Sequence, residues 1–78
     1  MDAINNLKKF YDNEYKSIEG FVKRHSKDTN IVYSSIENSI CMCLGAAQFV
    51  QYFENVNYKE VTELYDEVKE KLEKLREV

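Results

Sequence analysis

The chain has no proline, and its only glycines are Gly20 and Gly45. With so few breakers, long helices are the default conformation. Cysteine and histidine are almost as scarce. Cys41, Cys43 and His25 are too few for a disulfide-rich scaffold or a Cys/His zinc site. No Glu-x-x-His pair occurs, which argues against a di-iron bundle, and the two isolated glycines cannot make a phosphate-cradling loop. We therefore expect no metal and no cofactor. Excess charge is also missing. The net charge is −3, with acids and bases mixed along the chain. That leaves no basic field for phosphates, no helix basic on one face and no helix-turn-helix pattern, so no nucleic-acid partner is expected. The longest apolar run is far shorter than a bilayer span, and the stretch Met1 to Asn6 lacks the layout of a signal peptide. The expectation is a cytoplasmic protein with reduced thiols and no membrane contact.

What is present suits a folded domain. Apolar residues make up 44% of the chain, and six tyrosines and four phenylalanines argue against disorder. Seventy-eight residues form one domain, 1–78. A chain of this size buries only about 60–65% of its unfolded surface, and self-association is one way to gain stability. Richness in Lys, Asn, Glu and Ile hints at an AT-rich genome of a bacterium or phage.

The fold class expected is all-α, an antiparallel three-helix bundle with helices at about 3–25, 30–54 and 58–77. Association into a homodimer or larger assembly is left open, and an open hairpin that closes only as a dimer is the alternative. In the first helix Ile4, Leu7, Tyr11, Ile18, Phe21 and Val22 share one side, and Asp2 is the N-cap. Gly20 falls on the solvent side of this helix and does not split it. Either Asp28 or Thr29 caps the second helix. Asn57 caps the third, with Glu60 placed to complete a capping box and Val56 and Val61 at the two positions of a hydrophobic staple. Val61, Leu64, Tyr65, Val68, Leu72 and Leu75 form the third helix's narrow stripe. Glu67/Lys71 and Glu70/Lys74 are spaced as i,i+4 pairs on its charged face.

The middle helix is the odd one. Val32, Ile36, Ile40, Cys43, Ala47 and Val50 point one way. Ile31, Met42, Phe49 and Phe53 point more than a third of a turn away, and the combined arc exceeds half the circumference. Full contact with both neighbours is the plainer explanation, and a strip left over for another chain is the sharper one. Cys41 and Cys43 diverge by about 200° and cannot share an ion. Cys43 reads as a small buried hydrophobe, and Cys41 as an accessible, candidate reactive thiol. Gly45, Ala46 and Ala47 suggest tight packing within the chain before they suggest a docking notch.

Two polar residues break the pattern of the first helix. Glu14 lies in its apolar sector, either exposed at an edge or bonded to Ser39 across the seam. His25 reads as a partly buried residue or C-terminal cap. An enzyme would need a site assembled between subunits around His25 or Cys41, and the expectation is that the protein is not an enzyme. The functional expectation is a regulator or inhibitor that binds another protein, itself or a partner, through Met42, Phe49, Phe53, Tyr52 and Tyr58. The alternative is a small-molecule site lined by Phe10, Met42, Phe49 and Phe53.

Overall fold

The computed structural model describes residues 2–53 and 55–77. Helix α1 spans Ala3–Arg24. Asp2 starts it, its carboxylate accepting from the amides of Ile4 at 3.0 Å and Asn5 at 3.4 Å. These donors have no partner inside the helix, which is why a short acidic side chain is favoured there. His25 closes α1 as its C-cap, one residue earlier than expected, and donates its amide to the carbonyls of Phe21 and Val22. Lys23 and Arg24 in the last turn suit the negative end of the helix dipole. The helix runs unbroken through Gly20, which is half-buried rather than on the open face expected from the sequence.

Helix α2 spans Thr29–Phe53. Of the two candidate caps, Asp28 does the capping, its carboxylate accepting from the Ile31 amide at 3.2 Å. The expected last residue, Glu54, lies outside the described residues. Helix α3 spans Tyr58–Lys74. Asn57 caps it, accepting from the amides of Lys59 at 2.9 Å and Glu60 at 3.3 Å. Val56 packs against the core to which Val61 belongs. The returning half of the capping box, Glu60 to the Asn57 amide, is not among the hydrogen bonds of the described residues. The last expected turn of α3 tightens into a 3₁₀ turn, Leu75–Glu77, a common way for a helix to use up its final carbonyls.

All regular structure among the described residues is helical, and each of the three helices packs against the other two. The body is a rod of 43 × 16 × 16 Å. Its core is a single file of side chains. Leu7, Tyr11 and Val22 come from α1, Val32, Ile36, Cys43 and Ala47 from α2, and Val61, Val68, Leu72 and Leu75 from the C-terminal segment. The stripes expected for α1 and α3 are seen, with Ile4, Ile18, Leu64 and Tyr65 at their half-buried margins, except that Phe21 does not join the core and packs its ring on His25 instead.

The charged face of α3 differs from the simple ladder its spacing suggests. Glu70 and Lys74 pair at 3.4 Å. Lys71 does not pair with Glu67. It lies over the Tyr15 ring of α1, 4.5 Å from the centroid, where its stem covers aromatic surface and its charge meets the negative ring face. Arg76 reaches Glu37 of α2 at 3.3 Å and lies 5.6 Å from the centroid of the Tyr33 ring.

Candidate functional site

Helix α2 carries one charged residue, Glu37, between Thr29 and Phe53. It therefore meets solvent with few groups that prefer water. Its core side is covered by α1 and α3, but the arc of apolar residues is wider than two neighbours can cover. Ile31, Met42, Phe49 and Phe53 remain 42%, 53%, 60% and 72% exposed. They fall within about 40° of one another on the wheel, at 100° per residue. The rings of Phe49 and Phe53 pack together with centroids 4.8 Å apart. Three of the five candidate contact residues, Met42, Phe49 and Phe53, thus share one strip.

The other two are open and lie off this strip. Tyr52 is 84% exposed and Tyr58 69% exposed. Tyr52, three positions from Phe49, lies about 60° around the helix from it on the strip's flank, and Tyr58 is the first residue of α3. Ile31 belongs to the strip although it was not among the candidate contact residues. Its sequence signal was its place in the same apolar group as Met42 and Phe49.

Beside the strip, the start of α1 and the end of α2 leave a shallow apolar groove of about 280 Å³. Phe10 and Leu7 form one wall, and Phe49 and Val50 the other. Of the four residues expected to line a ligand site, Phe10 and Phe49 line this groove, whereas Met42 and Phe53 do not. Gly45 makes no tight contact. A Cβ added there would meet nothing within 4 Å, so the expected close packing falls to Ala47, which is buried.

Under the strip runs a polar seam. The Ser39 hydroxyl, itself buried, donates to the Glu14 carboxylate at 2.9 Å. Both readings of Glu14 hold in part, since the bond forms while the carboxylate sits half-buried at the edge. One turn further along α2 the Tyr11 hydroxyl donates to the Cys43 carbonyl at 3.0 Å. Burial pushes the Tyr11 phenol far above its ordinary value. Burial, and then the nearby Glu14 carboxylate, push the Cys43 thiol up to about 11. A thiol held neutral in this way is a poor nucleophile. Cys43 is buried and Cys41 exposed, both free, as their divergence on the helix requires.

His25 is exposed rather than partly buried, and its ring packs on Phe21 with centroids 4.3 Å apart. The Asp28 carboxylate serves the Ile31 amide, and Asp28 and His25 are joined through backbone, Asp28 N–H to His25 carbonyl at 3.0 Å. Among the described residues no three His, Cys, Asp or Glu side chains are grouped to hold a metal ion, and no helix is long and apolar enough to cross a membrane. Comparison with protein-family models, with curated proteins and with solved structures finds no match to this chain. Its functional reading therefore rests on its own residues.

Proposed function

We propose that this chain is a non-enzymatic helical protein that works by binding another protein, a partner or a second copy, through the outer face of α2. The observation that carries this reading is the uncharged strip of Ile31, Met42, Phe49 and Phe53 left open on one side of α2, while Tyr33 and Leu44, also exposed, lie on the opposite flank of its core side. The largest apolar patch of a monomer, a few hundred Å², is often its functional surface, and aromatic and Met side chains are the types enriched in interfaces. Tyr52 and Tyr58 extend the surface on its flank. A role as regulator or inhibitor inside the cytoplasm, in a bacterium or phage, suits the small size and the composition.

The helices are read as running up, down and up. The pairings Tyr11 with Cys43 and Glu14 with Ser39 support this for α1 and α2, because later residues of one helix meet earlier residues of the other. The short connections support it for the rest.

The test is a quantitative comparison of proteins retained from a lysate of the source cell by the wild type and by a Phe49→Ser/Phe53→Ser variant. The expected result is a protein, or further copies of the chain, held by the wild type and lost from the variant. Identical sets on both would overturn the reading. A second reading, binding of a small apolar ligand, is favoured by the groove between Phe10 and Phe49. It predicts a ligand-dependent rise in melting temperature, because a compound that binds only the native state must stabilise it.

A further inference from the structure

The strip has a regular layout. Positions 31, 35, 38, 42, 46, 49 and 53 recur at steps of three and four, the spacing of one helix face. Met42 stands midway between Ile31 and Phe53. Turned end for end about Met42, the face meets itself. Ile31 then faces Phe53, Ser35 faces Phe49, Asn38 faces Ala46, and Met42 faces Met42. Small Ser35 lies opposite large Phe49, and neither Asn38 nor Ala46 is bulky, so the rings have room to interlock.

We propose that a second copy of this chain covers the strip, with α2 packed against α2 in opposite directions about a two-fold axis at Met42. The inference rests on the protein-binding reading of this face and names its partner. Three observations favour a second copy over a different protein. The first is self-complementarity, since a two-fold contact uses the same patch twice and must fit itself. The second is charge. The chain carries a net charge of −3, a mild repulsion between copies that a charged contact face could increase. This strip has no charged residue, and Glu37 is turned away toward Arg76. Asn6, Phe10, Asn13 and Ser17 on the adjoining side of α1 are uncharged, and the carboxylate at that seam, Glu14, is half-buried and already accepts from Ser39. A charged partner would find little here to pair with. The third is area. With about 200 Å² for each large side chain, the exposed fractions of the four apolar residues leave roughly 450 Å² open. The groove walls and the intervening small residues bring this toward the about 800 Å² per partner of a standard interface.

The experiment is sedimentation equilibrium of the full chain from micromolar to millimolar concentration, with helix content checked by circular dichroism. The expected result is a mass that doubles with concentration. Phe49→Asp and Ser35→Asp should each weaken the dimer about tenfold or more, because each buries an unpaired charge at the same contact. Gln48→Asp, exposed and about 120° around the helix from the strip, should leave it unchanged. As a second measure, Met42→Cys in a Cys41→Ser background should form a disulfide-linked dimer under mild oxidation, and Ser34→Cys in that background should not. A monomer at every concentration overturns the proposal, as does a dimer indifferent to Ser35→Asp and Phe49→Asp, or a cross-link at position 34 in place of 42. A monomer would leave the broader protein-binding reading standing as long as the Phe49→Ser/Phe53→Ser comparison still showed a lost partner.

Discussion

The hydroxyl of Ser39 on α2 donates to the carboxylate of Glu14 on α1 at 2.9 Å, with Ser39 almost wholly shut off from solvent. A buried hydroxyl needs a partner, and here the partner is an acid that keeps one side in water. Ser39→Ala should destabilise the protein by about 1 kcal/mol, as expected for a hydrogen bond to a group that water can partly re-solvate. Ser39→Val adds bulk where none fits and should cost more. Urea unfolding of both variants checks this, and a wild-type midpoint for Ser39→Ala would show that the bond contributes nothing.

The two thiols should differ sharply in reactivity. Cys41 should be modified by a thiol reagent in the native protein, and Cys43 only when the protein unfolds. Counting thiols modified with and without denaturant tests it.

The same thiol makes stability fall at high pH. The Cys43 thiol ionises near its ordinary value of 9.0 in the unfolded chain but only at about 11 in the folded one. Between those values the unfolded state holds fewer protons, so raising the pH favours unfolding. The contribution is fully present below pH 9 and is lost as pH rises toward 11, on the order of 3 kcal/mol at most. Denaturant midpoints measured from pH 8 to 11 should fall less steeply in Cys43→Ala than in the wild type, with Tyr11 accounting for part of what remains.

Core and strip should respond in opposite ways to truncation. Ile36 and Leu72 are fully buried, so Ile36→Ala or Leu72→Ala should cost about 2–5 kcal/mol, a large share of the stability of so small a chain. Phe53→Ser, in a strip nothing covers within one chain, should change monomer stability by about 0.5 kcal/mol or less. Thermal unfolding at low concentration separates the two.

Asn57→Ala should cost about 1 kcal/mol by removing the acceptor for the Lys59 and Glu60 amides. Asn57→Asp should keep most of it. Chemical denaturation of the pair distinguishes loss of the cap from loss of the side chain's bulk.

Local chemistry decided much of this protein in advance. The absence of proline and the short polar turns made three helices the expected outcome. Caps act within three residues, so Asp2 and Asn57 were legible as helix starts from the sequence itself. The divergence of Cys41 from Cys43 follows from 100° per residue and needed no neighbour. The pairing of Glu14 with Ser39 was legible as one of two options, because register along two packed helices follows from the turn between them.

What depended on distant parts of the chain was decided only by tertiary structure. The apolar arc of α2 showed that it was wide, but how much α1 and α3 cover depends on where those rods lie against it. The result is a strip at Met42, Phe49 and Phe53 with Tyr52 on its flank and Tyr58 at the start of α3. Lys71 turned from Glu67 to the Tyr15 ring, and Arg76 to Glu37 and Tyr33, because long flexible side chains settle wherever another helix offers a surface. Gly45 ended facing open space. Helical period gives a residue its direction, and only the packed neighbours determine what stands in that direction.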